Sequence, residues 1–141
     1  MQRAIDASVE IDGKINGAID KGYMLLVGFG LNDTIENVKK MAYKVANLRI
    51  FPDSNDKLNL SIKDVGGSIL SISQFTLYAD SRKGNRPSFT DALKDGAKEL
   101  YLAFNECLRN EYNLKVEEGI FGADMNVKFT NVGPTTIMLE I

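Results

Sequence analysis

The sequence predicts a mixed α/β protein with a curved, mostly antiparallel and barrel-like β-sheet core covered by two amphipathic helices. Three observations support this fold class. Several short segments alternate apolar and polar residues, as strands do. Two longer segments repeat apolar residues at helical spacing. Strands and helices do not alternate strictly, which argues against a doubly wound parallel sheet. No linker or repeat interrupts the chain, so we expect residues 1–141 to form a single domain.

The N-terminal segment is expected to form a hairpin followed by a buried strand. Residues 2–11 alternate apolar and polar side chains, which predicts a strand with one solvated face. The Asp-Gly pair at 12–13 is typical of a hairpin turn, and the chain would return through residues 15–19. A second turn at 21–22 would then lead into the apolar run 23–30, which has the length of a buried strand.

Two helices are predicted, one over residues 32–48 and one beginning near Ser88 or Thr90. Asp33 and Glu36 have the spacing of a capping box at the start of the first helix, and either hydroxyl residue suits the N-cap of the second. We assign the apolar stripes of both helices to the core: Ile35, Val38, Met41, Ala42, Val45 and Leu48, and then Ala97, Leu100, Tyr101, Phe104, Cys107 and Leu108. The cysteine in the second stripe is thereby assigned to packing.

The stretch from Ser71 to Phe89 carries the pattern that best suits a functional site. If it begins as an extended strand, alternate side chains share one face, namely Leu70, Ile72, Gln74, Thr76 and Tyr78. The strand would run into a polar loop with three cations, Arg82, Lys83 and Arg86. A polar pair on an apolar strand beside a cationic loop suggests a pocket floor with an anion-binding rim. Ordinary cross-strand partners and a solvated loop are the structural alternative.

Strands are also expected over residues 125–131 and 135–141, on either side of Gly133-Pro134. Proline has no N–H to donate in a central strand, so the residues themselves predict a plain turn there. Arg3 stands beside an apolar alternation in the first strand, and a salt bridge at the rim of the sheet is the simplest interpretation of it.

Composition excludes several kinds of chemistry. The chain has no histidine, so catalytic triads, proton shuttles and metal sites that depend on imidazole are excluded. With one cysteine it forms neither an internal disulfide nor a Cys/His zinc site, and we expect no cofactor. The single cysteine fits a reducing cytoplasm, and no apolar run approaches the ~20 residues of a membrane span. A net charge of −2 argues against broad, sequence-independent binding of nucleic acid.

Six short motifs are distributed along the chain, namely Gln2-Arg3, residues 47–51 (NLRIF), residues 73–77 (SQFTL), residues 83–89 (KGNRPSF), residues 121–125 (FGADM) and residues 131–134 (NVGP). Together they resemble the motifs of the D-aminoacyl-tRNA deacylase family, also called D-Tyr-tRNA deacylases. Each motif alone is a weak signal, whereas six in the family's order and spacing are highly specific. The resemblance covers essentially the whole chain and implies the fold of that family.

The resemblance implies an enzyme that acts on charged tRNA. Its substrate would be a tRNA with a D-amino acid, or glycine, esterified to the terminal adenosine, and its products would be free tRNA and the amino acid. The activity would serve chiral proofreading in translation. The family also implies a homodimer whose active sites lie at the subunit interface.

The resemblance further implies roles for individual residues. Gly133-Pro134 would be a cis peptide that enters the partner's pocket and leaves no space for an L side chain, which is selection by exclusion. Arg3 would brace that peptide, a role that replaces the salt-bridge interpretation. The catalytic segment would be Ser73, Gln74, Phe75 and Thr76. The 3′ end of the tRNA would be bound by Arg82, Lys83, Arg86, Phe89 and Met125.

Ester hydrolysis through a tetrahedral intermediate requires a stabilised oxyanion and an activated water. The backbone N–H groups near Phe75 and Thr76 are the natural oxyanion donors. A Thr76 nucleophile would need an adjacent base, which nothing in the sequence supplies. We therefore favour assistance by the free ribose hydroxyl of the substrate, as the family implies, with Gln74 and Thr76 orienting it.

Two departures from the family pattern and two alternative functions stay open. Met1 directly precedes Gln2 where family members usually carry several residues, which would shorten the first strand and loosen Arg3. Thr135-Thr136 follows the proline where the family commonly has Val-Thr. The alternative functions are a non-catalytic module that grips nucleic-acid ends through the cationic loop, and a general esterase.

Overall fold

The computed structural model describes all residues from 1 to 141. Its elements in chain order are β1 (Gln2–Ile11), β2 (Lys14–Val27), α1 (Ile35–Asn47), β3 (Phe51–Pro52), β4 (Leu58–Leu60), β5 (Ser68–Ser73), a 3-10 helix (Phe75–Tyr78), α2 (Ala97–Asn110), β6 (Val116–Glu118) and β7 (Asn126–Thr136). The α/β class with two helices is therefore confirmed.

The main sheet has five strands in the order β6-β5-β2-β1-β7. β1 runs antiparallel to both β2 and β7, whereas β5 runs parallel to β2 and β6. The sheet is thus mixed, and it is open at β6 and β7 instead of closing into a barrel. β3 and β4 form a separate two-stranded sheet.

Two predicted breaks in the strands are absent. Residues 21–22 lie inside β2, where Gly22 pairs with both Ala4 and Ser68, because a glycine within a strand allows close backbone approach. β7 continues through Gly133-Pro134 and ends at Thr136, so the separate strand predicted over residues 135–141 is wrong. Beyond β7, Ile137 exchanges two hydrogen bonds of 2.8 Å with Met1.

The helix starts also differ from the prediction. Thr34 is the N-cap of α1 and forms the capping box with Asn37, while Asp33 accepts a 2.7 Å hydrogen bond from the Gly30 N–H. Ser88 cannot cap α2 because its N–H and C=O both pair with Asp80. The chain from Ser88 onward is consequently a loop, and α2 starts at Ala97 after Gly96.

Apolar side chains cover both faces of the sheet. On one face the two helices enclose a cluster that includes Tyr23, Leu25, Val38, Phe104 and Leu108. The other face carries a smaller buried cluster with its own set of side chains, namely Ala4, Ala7, Val9, Ile19, Met24, Leu70 and Ile72. Burial raises the pKa of the half-buried Cys107 thiol, which is consistent with its assignment to packing. Neither helix has the length and apolarity needed to cross a membrane.

Candidate active site

The predicted continuous strand through Tyr78 is wrong, and this difference shapes the site. β5 ends at Ser73, and residues 75–78 form a single 3-10 turn. The Gln74 N–H donates to the Val27 carbonyl at 2.8 Å, which is the last link to β2 before the chain turns. Gln74 and Thr76 therefore do not continue the buried face of Ile72; Gln74 is half-buried and Thr76 is exposed.

Gly28 allows the turn to pack against the end of β2. A Cβ on Gly28 would lie 2.9 Å from the Gln74 carbonyl oxygen, closer than real Cβ contacts come. Because glycine has no side chain, the turn rests directly on the backbone there. The position of the turn that contains the predicted catalytic residues 73–76 thus depends on a small residue from a much earlier part of the chain, between β2 and α1.

The turn brings two polar side chains together and leaves main-chain donors at its start. The Gln74 amide donates a hydrogen bond to Thr76 Oγ1. No carboxylate or amine is hydrogen-bonded to that hydroxyl, so no base adjoins it. The first N–H groups of a helical turn have no partner within the turn, and those of Phe75 and Thr76 occupy this position.

Phe89 and the cationic loop are tied to the same turn. The rings of Phe75 and Phe89 meet edge to face with centroids 5.1 Å apart. Asp80 and Ser88 exchange two backbone hydrogen bonds of 2.8 and 2.9 Å, which closes the loop between them. The exposed loop residues are therefore held next to the catalytic segment.

The three cations of this loop are not equivalent. Arg82 forms two side-chain hydrogen bonds to the Asp80 carboxylate, at 2.9 and 2.7 Å. These hydrogen bonds lower the pKa of Asp80 to about 2, so the carboxylate stays charged at neutral pH and offsets the charge of Arg82. Lys83 and Arg86 form no salt bridge and are exposed. The uncompensated positive charge of the rim is thus that of Lys83 and Arg86.

The segment 121–125 lies beside the end of β5. Met125 is half-buried, and its sulfur packs so closely on Gly119 that a Cβ there would not fit. It also packs against the cluster that contains Ile72. Phe121 contacts the ring of Tyr101 on α2. Met125 is therefore placed near the catalytic segment, on the sheet face opposite the helices.

Arg3 fixes the approach to Gly133-Pro134. Its guanidinium donates to the Val132 carbonyl from Nε at 3.3 Å and from Nη2 at 3.2 Å, and to the Ile50 carbonyl from Nη1 at 3.2 Å. Arg3 has no acidic partner, so a rim salt bridge is not formed. The Gly133–Pro134 peptide bond is cis, and both residues are exposed.

Within one chain these residues form two groups. One consists of the catalytic segment with Phe89, the cationic loop and Met125, and the other consists of Arg3 with Gly133-Pro134. No hydrogen bond joins Gly133-Pro134 to residues 73–76. An apolar cavity of about 300 Å³ is lined by Leu77 and Tyr78 and by the C-terminal residues 136–141, and no residue of either group lines it.

Residues 1–140 of the 141-residue chain match the family model described as D-Tyr-tRNA(Tyr) deacylase. The chain belongs to this deacylase family. A solved structure described as "c-Myc DNA Unwinding Element Binding Protein" shares 40% identity over 99% of this chain and 95% of its own, with a TM-score of 0.93. A second, described as a probable eukaryotic D-amino acid tRNA deacylase, superposes with a TM-score of 0.79 at 17% identity, covering 93% and 91% of the two chains.

Family membership makes the chain a D-aminoacyl-tRNA deacylase, an ester hydrolase whose substrate is an aminoacyl-tRNA. Sequence reasoning missed two residues that pack against segments of the candidate site. Gly28 lies in an apolar run that gave no reason to single it out. Tyr101 was placed in an apolar stripe, although a buried tyrosine hydroxyl usually needs a hydrogen-bond partner, and that requirement was the available signal.

Proposed function

We propose that the enzyme proofreads chirality by hydrolysing D-aminoacyl-tRNA, and glycyl-tRNA, while excluding L-aminoacyl esters. The proposal rests on one observation, the two hydrogen bonds that the Arg3 guanidinium donates to the Val132 carbonyl. This contact presents Gly133-Pro134 as an exposed main-chain projection at a fixed position. Its carbonyl groups would accept hydrogen bonds from the substrate's amino group, and the limited space beside them would reject an L side chain. Glycine has no side chain to reject and would be hydrolysed too.

The bond-breaking step would take place at the 73–76 turn. The ester carbonyl oxygen would become an oxyanion held by the N–H groups of Phe75 and Thr76, and removal of one such donor costs about 2.7–4 kcal/mol in other enzymes. Water would attack the carbonyl carbon with help from the free ribose hydroxyl. The bond to the ribose oxygen then breaks, and that oxygen takes a proton. Thr76 has the Gln74 amide and no base as its partner, which supports an orienting role.

The projection and the catalytic turn would belong to one site only in a homodimer. Exposed apolar side chains line the cavity beside Leu77 and the C-terminal residues: Leu77 is 49%, Met138 86% and Ile141 52% exposed. Apolar patches of this kind mark protein interfaces. Gly133-Pro134 of one subunit would then reach the pocket of its partner.

A charge placed on this apolar surface should abolish dimerisation and discrimination together. We expect Met138→Glu to reduce the mass measured by sedimentation from twice the 15.6 kDa chain mass to that mass. Leu102→Glu, at an exposed site on α2, is the matched control and should leave the dimer intact. A monomeric Met138→Glu protein that still spares L-Tyr-tRNA would contradict the shared site but not membership of the deacylase family.

A second candidate function, beside ester hydrolysis, is the binding of nucleic-acid ends. It is favoured by the uncompensated charges of Lys83 and Arg86 and by the likeness to the 40%-identical structure, which is described as a DNA unwinding element binding protein. This function predicts salt-sensitive retention on filters of nucleic acid that carries no amino acid. A general esterase would instead cleave small acyl esters that lack adenosine. The cytoplasmic location stays a prediction from the single cysteine.

A further inference from the structure

Tyr101 connects two segments that the active site uses. It is 1% exposed within α2. Its hydroxyl donates a 2.7 Å hydrogen bond to the Ser71 carbonyl on β5, two residues before the catalytic segment. Its ring meets that of Phe121 with centroids 6.1 Å apart. One buried side chain is therefore in contact with the strand that leads to residues 73–76 and with the segment 121–125.

The Ser71 carbonyl is the point from which the two segments diverge. Ser71 pairs with Glu118 at the last position of the β5–β6 ladder. Its carbonyl also accepts the Gly119 N–H, at 3.3 Å, a longer hydrogen bond than the one from Tyr101. Beyond this point β5 continues to Ser73, whereas the other strand leaves towards Phe121. The hydroxyl of Tyr101 supplies the shorter of the two hydrogen bonds at this junction.

α2 is rigidly attached on the side from which Tyr101 projects. One turn later, the fully buried Asn105 donates to Glu118 Oε2 at 2.7 Å. Another turn later, Arg109 donates to the Val116 carbonyl from Nη2 at 2.6 Å. Residues four apart share a helix face, so these three polar side chains form one line along α2. Asn105 and Arg109 bind β6, and only Tyr101 reaches β5.

We propose that Tyr101 is a positioning residue that fixes residues 73–76 relative to residues 121–125. It touches neither the substrate nor the reacting bond. Burial raises the pKa of its hydroxyl, so that the group remains a donor throughout the neutral range. The inference rests on the proposed placement of the reaction at the 73–76 turn. Misplacement of a reacting group by about 1 Å can cost on the order of 100-fold in rate.

The test is Tyr101→Phe, which removes the hydroxyl and keeps the ring. With D-Tyr-tRNA we expect kcat to fall about tenfold and KM to change by less than kcat, because the three cations of the loop, Arg82, Lys83 and Arg86, are untouched. Amide hydrogen exchange should accelerate in residues 71–77 and 119–125 and not elsewhere. Ser61→Ala is the control: it removes a hydroxyl that is 7% exposed and donates to Asp64 at 2.9 Å in a turn between β4 and β5. It should lower Tm without lowering kcat.

A Tyr101→Phe enzyme with kcat within twofold of the wild type would overturn the proposal. The proposal would also be overturned if Ser61→Ala and Tyr101→Phe lowered Tm equally and lowered kcat equally. If Tyr101→Phe does not fold, Phe121→Leu tests the ring contact: a lower kcat at unchanged KM supports positioning, and a raised KM alone overturns it. A wild-type enzyme inactive on D-Tyr-tRNA would refute the proposed function instead.

Discussion

Removing the free ribose hydroxyl from the substrate should cost more activity than removing any side chain of the catalytic turn. We expect D-Tyr-tRNA ending in 2′-deoxyadenosine to be hydrolysed about a thousandfold more slowly than the normal substrate. The reason is that an assisting group held in place by the substrate itself acts at a very high effective concentration. The measurement is a single-turnover rate with enzyme in excess, which isolates the chemical step.

Thr76→Ala is the comparison for this experiment. The Thr76 hydroxyl has only the Gln74 amide as a partner, so its loss should affect orientation and slow the reaction by about tenfold or less. The opposite ranking, with Thr76→Ala nearly inactive and the deoxy substrate nearly normal, would make Thr76 the nucleophile. Activation of Thr76 would then require a base that is not among the groups hydrogen-bonded to its hydroxyl in this chain.

Gly133→Ala should weaken discrimination between D and L esters by about tenfold or more, because the substitution displaces the projection. Gly133 has φ +117°, a region that L residues rarely adopt. A Cβ there would lie 2.7 Å from Arg3 Nη2 and 2.7 Å from Thr135 Oγ1. The new methyl group therefore competes with the guanidinium that holds Val132. The measured quantity is the ratio of kcat/KM for D-Tyr-tRNA to that for L-Tyr-tRNA.

Gly13→Ala separates this effect from general backbone strain. Gly13 lies in the hairpin turn between β1 and β2 with φ +77°, and a Cβ there has nothing within 4 Å. Alanine at a left-handed position costs about 1–2 kcal/mol, so both variants should lose stability. Only the variant at Gly133 should change the ratio. If the ratio is unchanged in Gly133→Ala, the projection does not discriminate between the D and L enantiomers of the substrate.

The sequence predicted the family and the fold class better than it predicted how the candidate site residues are arranged. The six family motifs name residues 73–76, the cationic loop and Gly133-Pro134 as candidates for the site, and their roles stay predictions. The apolar alternation before Gln74 was extended too far, because nothing local to residues 74–78 indicates that Gly28 leaves room for a turn. Gly28 is far from this turn in the sequence, and its contact with the turn becomes evident only when β2 and β5 are paired.

The sequence also did not indicate which groups the charged side chains would contact. Three cations in one loop looked equivalent, yet Asp80, two residues before Arg82, takes up that charge. Arg3 was first interpreted as a salt bridge, whereas its acceptors are main-chain carbonyls in two other parts of the fold. Carbonyl groups exist at every position, so a sequence pattern cannot indicate which of them will meet an arginine.

The most direct test is a paired deacylation assay with the purified wild-type enzyme on D-Tyr-tRNA and L-Tyr-tRNA under identical conditions. If a rigid main-chain projection excludes the L enantiomer, the enzyme hydrolyses the D ester, whereas the L ester is hydrolysed only at its uncatalysed rate. Equal rates on the two esters would contradict this account, whatever the family of the protein.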